Sequence, residues 1–316
     1  MIRIPGISAE ALRKNHRLIA AAAAALLIII IIALAASCSD KKPKKKEKPA
    51  SSSQVSSSAA DTAAAVTRTE STAGSKPKDM AELKTKLEGM LESEPGDWSV
   101  YIKDLSTNKT ILINERTFYP ASTIKLFAMA AAYQQIYDGK YVEETLFGDI
   151  SAMASKSNND SFNNLVWNMG NGYITEWCHA HGYEDTYQYS GLRPADNADG
   201  LDDPEGRTNQ TSAKDIGRLL ESIYKGECVS PMYSARMLNL LLEQEYRDKI
   251  PAGIPNGCAV ANKTGETDDV SHDSAIVSTP NGDYIIVIMC DHPGKADDIF
   301  GYFSILSQEV YRYFEK

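Results

Sequence analysis

Strand-forming runs stand at both ends of the region from residue 80 onward, and helical periodicity fills the space between them. Residues 98–105 and 109–113 read as two strands joined by the turn residues Ser106, Thr107 and Asn108. Residues 259–264, 270–279 and 284–290 read as three more, the last a continuous apolar run entered through the hairpin turn Asn281-Gly282. Segments so distant can share a sheet only if the chain between them leaves and returns. The pattern predicts an α/β (α+β) fold in which an antiparallel sheet built from both ends is flanked by helices and carries an inserted all-helical lobe. Helices are expected over 80–91, from about Ser122 through Tyr133, in pieces over 141–182, from Thr211 to about Lys225, over 231–245 and over 296–315. Ser157-Asn158-Asn159-Asp160 and Gly170-Asn171-Gly172 interrupt the third of these. Residues 187–210 have no periodicity and are rich in Asp, Gly, Asn and Pro, and a loop of that length is more often functional than accidental.

The start of the chain is of another kind. Arg13, Lys14, His16 and Arg17 precede an uncharged run of 19 residues, 18–36. As a helix it would measure roughly 28 Å, enough to cross a bilayer core. Small residues then lead into the lone Cys38, which is similar to a bacterial lipoprotein signal with Cys38 lipidated after cleavage, although Ala35 stands where such signals usually carry Leu. An uncleaved signal anchor is the equal alternative. Lys41, Lys42, Lys44, Lys45, Lys46 and Lys48 follow the run, and since positive flanks tend to stay in the cytoplasm, charge leaves the orientation open. Residues 49–77 are Ser, Ala, Thr and Lys with little apolar content, a tether. The expected organisation is an anchor or signal over 1–37, a tether over 38–78 and a folded domain over 79–316.

Charge divides along the same boundary. Residues 1–78 hold 13 of the 33 Lys+Arg and 5 of the 42 Asp+Glu, a net of +8, which leaves 20 and 37 in the remainder, a net of −17. An acidic folded part argues against nucleic-acid binding, and an anionic substrate must be drawn there by a local positive site.

One such site is suggested by Pro120-Ala121-Ser122-Thr123-Ile124-Lys125. On a helix, Ser122 and Lys125 share a face, and a serine hydroxyl becomes a good nucleophile when a neighbouring base takes its proton. Ser-x-x-Lys alone carries little weight, since it recurs at Ser39/Lys42, Ser75/Lys78 and Ser222/Lys225. Ser157-Asn158-Asn159 and Lys263-Thr264-Gly265 follow it in order, the first motif opening a helix and the last ending a strand. In these three motifs, and in the order of elements over roughly residues 80–316, the sequence resembles the class A serine β-lactamases and their penicillin-binding relatives.

The resemblance implies an extracytoplasmic serine hydrolase that needs no cofactor or metal and takes a β-lactam or acyl-D-Ala-D-Ala substrate, with the membrane reached through the N-terminal anchor and a monomer expected. Ser122 would form an acyl-enzyme, Lys125 would be its base if burial or Lys263 lowers its pKa, and Ser157 would relay a proton to the leaving nitrogen. Asn159 would hold the substrate's amide side chain, the N–H groups of Ser122 and Glu266 would form the oxyanion hole, and Lys263, Thr264 and Gly265 would form the strand that meets the substrate carboxylate. Ser122 as an ordinary helix N-cap is the plainer reading.

Two departures from the family pattern matter. Its hydrolases carry Glu-x-x-Leu-Asn in the long loop, where the Glu activates the deacylating water, and that pattern is absent. Counting back from the Thr211 helix puts Asp196 nearest to the position, with Glu205 second. The family also commonly grips the carboxylate with an Arg beyond Lys-Thr-Gly, where His272 is the expected stand-in when protonated, against a surface histidine in a turn. The alternatives to an efficient lactamase are a D,D-peptidase-like or penicillin-sensing domain that deacylates poorly and a retired wall-binding domain. Cys178, Cys228, Cys258 and Cys290 lack metal spacing; four buried thiols are preferred over two disulfides. His179 and His181 beside Cys178 read as a helix end, so no metal is assigned.

Overall fold

The computed structural model describes residues 80–293 and 296–315; the expected anchor, Cys38 and the tether lie outside them. Helix α1 (Met80–Leu91) leads to β1 (Asp97–Asp104), β2 (Thr110–Ile113) and the short β3 (Thr117–Phe118). A 3-10 turn (Ala121–Ile124) runs into α2 (Lys125–Tyr137), followed by α3 (Glu143–Lys156), α4 (Asn159–Met169) and α5 (Tyr173–Ala180). After the long loop come β4 (Thr211–Ser212), α6 (Ala213–Lys225), α7 (Pro231–Leu242) and a 3-10 turn (Ile250–Gly253). Strands β5 (Ala259–Glu266), β6 (Val270–Ser278) and β7 (Tyr284–Asp291) and helix α8 (Ala296–Phe314) close the chain.

The five-stranded sheet has the order β2-β1-β7-β6-β5, antiparallel throughout, so β1 from the front of the domain pairs along its whole length with β7 from the back. Burial on both faces explains why β7 reads as an unbroken apolar run. Ile285, Val287 and Met289 pack with the helical lobe, whereas Tyr284, Ile286, Ile288 and Cys290 pack with α1 and α8. Each such fully buried aliphatic chain contributes about 1.5–3 kcal/mol. The sheet from both ends and the inserted helices are as the sequence pattern predicts.

Local chemistry sets the helix limits. Gly170 and Gly172, both at positive φ, separate α4 from α5, and Ser212 accepts a hydrogen bond from the Asp215 amide at 3.2 Å to cap α6. The expected helix start at Ser122 is resolved differently, because Ser122 lies inside the 3-10 turn and α2 begins at Lys125. Pro120 occupies the cap of that turn, so Ser122 is not the N-cap of α2. Cys178, Cys228 and Cys290 are buried free thiols; Cys258 is half-buried rather than buried, because it lies in the turn entering the edge strand β5.

Candidate active site

The 3-10 turn puts Ser122 at a half-buried position while Thr123, Ile124 and Lys125 turn inward. Thr123 donates from both its amide and its hydroxyl to the Pro120 carbonyl, which tightens the turn. Ala121, preceding the serine, has φ +44°, a left-handed conformation that costs a residue with a Cβ of order 1–3 kcal/mol. Ser157 has φ +56° where α3 breaks into α4. Strain thus sits beside both hydroxyls.

Lys125 Nζ lies 2.9 Å from Ser122 Oγ and donates to the Ser157 carbonyl at 2.5 Å and to Asn159 Oδ1 at 2.6 Å. Ser157 Oγ is 3.3 Å from Lys125 Nζ and accepts from Lys263 Nζ at 2.8 Å. Lys263 also donates to the Thr264 carbonyl at 2.8 Å. The Ser157 hydroxyl therefore bridges two amines that are distant in the chain. Burial, and then the Lys263 charge, pulls the Lys125 pKa down to about 6. Burial also lowers Lys263, to about 7, against the raising effect of Asp273. A lysine poised near neutrality beside a serine can take its proton.

Strand β5 lies directly against the serine turn. A Cβ on Gly265 would stand 2.8 Å from the Pro120 carbonyl oxygen and 3.0 Å from the Ser122 nitrogen, so only glycine permits this approach. The Thr267 amide donates across the hairpin to the Val270 carbonyl, and the register pairs Gly265 with His272 and Glu266 with Ser271. Hydrogen-bonded pairs alternate in an antiparallel ladder, so the Glu266 N–H faces the open edge of the sheet. There it stands one residue from the glycine that touches the Ser122 backbone.

Asn159 donates from Nδ2 to the Pro194 carbonyl at 3.1 Å and so ties the loop to the Lys125 cluster. Asp196 itself is exposed, and its amide donates to Asp160 Oδ1 at 2.9 Å. Glu205 is exposed and pairs with Arg207 at 3.3 Å. Among the described residues, no carboxylate hydrogen-bonds Ser122 or Lys125. Asn197 gives the loop another frame than the count back from the Thr211 helix. It donates to the Asp160 carbonyl at 3.0 Å and to Asn164 Oδ1 at 2.7 Å, and it accepts from Asn163 at 3.2 Å. Read back from this anchored asparagine, Glu-x-x-Leu-Asn falls on Arg193-Pro194-Ala195-Asp196-Asn197. Arg193 then stands where the glutamate would be, and Asp196 where the leucine would be. The Arg193 guanidinium turns instead to Asp202 at 3.0 Å and to Asp199 at 3.4 Å.

The expectation for His272 is also corrected. It is neither a carboxylate grip nor a surface residue. The ring is wholly buried in β6, with Nε2 donating to the Tyr119 carbonyl at 2.8 Å and Nδ1 accepting from the Cys290 amide at 3.2 Å. Those roles need a neutral imidazole, and burial holds its pKa down at about 4. The residue opposite Thr264 is Asp273, which is buried and accepts from Asn262 at 3.2 Å and from the Ile250 amide at 2.9 Å. Sequence reasoning also passed over Lys249, whose buried ammonium pairs with Glu266 at 2.8 Å. No spacing pattern marks it.

Comparison with known proteins agrees with this architecture. The Beta-lactamase enzyme family matches residues 82–148 and 149–314. No curated protein matches the chain. Among solved structures, PBP-A superposes with a TM-score of 0.67 at 21% identity, covering 76% of this chain and 98% of its own. A mutant of PBP-A as an acyl-enzyme complex with penicillin G gives 0.66 at 22% identity, covering 76% and 99%. The TLA-1 extended-spectrum β-lactamase gives 0.65 at 19% identity, covering 75% and 99%. The fold is the β-lactamase/transpeptidase-like one.

Proposed function

The chain belongs to the β-lactamase enzyme family, and from that premise we propose that it is an extracytoplasmic, membrane-tethered serine hydrolase acylated at Ser122 by β-lactams or acyl-D-Ala-D-Ala compounds, with hydrolysis of the acyl-enzyme as its slow step. The observation that carries the reading is the 2.9 Å separation of Ser122 Oγ from a Lys125 amine whose pKa is lowered to about 6. In its neutral form Lys125 takes the Ser122 proton as Oγ bonds to the carbonyl carbon. The amide or lactam C–N bond then breaks, and Ser157 passes its proton to the departing nitrogen. The Lys125 ammonium returns a proton to Ser157 across 3.3 Å, which leaves the amine neutral again. The N–H groups of Ser122 and Glu266 hold the oxyanion, and Asn159 meets the substrate's amide side chain. Lys263 and Thr264 face the carboxylate common to both substrate classes, the local positive site that an acidic domain requires.

Slow deacylation is favoured over efficient turnover by the loop, where Arg193 replaces the expected carboxylate and Asp196 is exposed. Loss of a general base typically costs about 10²–10⁴ in rate. PBP-A and a β-lactamase share the fold, so fold alone does not choose between them. Intact-protein mass spectrometry after a brief exposure to penicillin tests the reading. A single penicilloyl adduct that persists over minutes supports it. An adduct that clears as fast as it forms indicates an efficient lactamase, and no adduct indicates a retired binding domain.

A further inference from the structure

Beneath the end of β5 lies a charged group that the acylation chemistry does not use. Lys249 is 0% exposed, a rare state for a lysine unless it is paired. Its Nζ contacts Glu266 Oε1 at 2.8 Å and donates to the His272 carbonyl at 3.2 Å. It also lies 4.6 Å from the ring centre of Phe300 and 5.2 Å from that of Phe303. Buried Asp273, on the neighbouring strand, accepts from the Ile250 amide next to Lys249 at 2.9 Å. One ammonium thus links the last residue of β5, the carbonyl of His272 (the β6 partner of Gly265) and two aromatic rings of α8.

Glu266 is the residue whose N–H faces the open edge beside Ser122. Strand β5 is an edge strand and Glu266 is its last residue, so the ladder holds it from one side only. Its side chain, 38% exposed, is secured at the other end by a wholly buried ammonium. We propose that Lys249 is a positioning residue for acyl transfer, fixing the Glu266 amide as an oxyanion donor through the Lys249–Glu266 ion pair. The ammonium is engaged by Glu266 and the His272 carbonyl, so its influence passes through Glu266. The inference rests on Ser122 acylation as read above.

The test is the rate of acylation by a fluorescent penicillin, resolved into the noncovalent Kd and the chemical step k2. Glu266→Ala keeps the N–H and removes only the tether, at a half-exposed position where folding is least at risk. Lys249→Met removes the cation while keeping the length of the side chain, with thermal unfolding as the check on its fold. Both should slow k2 about tenfold or more, part of the roughly 10²–10³ that an oxyanion donor supplies, with Kd within twofold of wild type. The double variant should be no slower than the worse single one, because both remove the same tie. Wild-type k2 in Glu266→Ala overturns the proposal. A rise in Kd with unchanged k2 also overturns it, since that assigns Lys249 to substrate binding. Failure of the wild-type protein to label overturns the acylation reading itself, and this inference with it.

Discussion

Around Ser122, Lys125 from α2, Ser157 and Asn159 from the α3–α4 break and Lys263 from β5 close on one another within 3.3 Å. In the adjoining loop, Arg193 and Asp196 lie exposed, and the loop is held by Asn163, Asn164 and Asn197 together with Asp160, which accepts from the Asp196 amide. The first region lowers the pKa of an amine by burying it; among the described residues, the second holds no carboxylate hydrogen-bonded to the amine or the serine. A protein in the first condition can form an ester. Clearing that ester needs an activated water, which in the proposed function the second region does not supply. In the proposed function, acylation and deacylation are thus separable, each resting on a different stretch of chain.

That separation can be broken experimentally. Ser122→Ala should abolish the penicilloyl adduct, and an adduct of unchanged mass increment on the variant would move the nucleophile elsewhere. Lys125→Met should retain Ser122 but slow acylation by about 10²–10⁴, read from the rate of adduct formation in single-turnover labelling. Arg193→Glu should act on the other half only. It places a carboxylate in the frame set by Asn197 and should shorten the adduct's lifetime by about tenfold or more, with the rate of formation little changed. If both steps change together, the two regions are not independent. The pH profile is expected to divide in the same way. Lys125 must be neutral to accept the proton, and its pKa is depressed to about 6, so acylation should rise with pH through about 6 and then level off. A profile flat from pH 5 to 7 would remove Lys125 as the base. The smallest effect belongs to Asp196→Asn, expected to leave both rates within about twofold, as for a surface change away from the chemistry.

Much of this was legible in the sequence because it depends on short-range patterns. The five principal strands were visible as period-two or unbroken apolar runs, and the break at Ser157 was visible as a polar interruption between helical stretches. Ser122, Lys125, Ser157 and Lys263 were nominated from three motifs whose spacing along a helix or strand fixes which side chains share a face. Asp196, His272 and Lys249 were less legible, for a different reason. Asp196 depended on counting through an irregular loop, where a shift of a few residues leaves no periodic trace; Asn197, with its contacts to α4, supplies the frame that counting lacked. His272 depended on a strand face, and a step of one residue along β6 exchanges it for Asp273.

By itself the sequence determined the sheet drawn from both ends, the helical insertion, the acidic balance and the hydroxyl and amine residues available for acyl transfer, since these follow from composition, periodicity and local spacing. Only the tertiary structure decided which charges are buried and against what. The pKa values of Lys125 and Lys263, the neutral His272 and the Lys249–Glu266 pair arise from desolvation and from neighbours brought together by β5 packing on the serine turn and α8 packing beneath it. Desolvation is a property of enclosure, and enclosure exists only once distant segments have met.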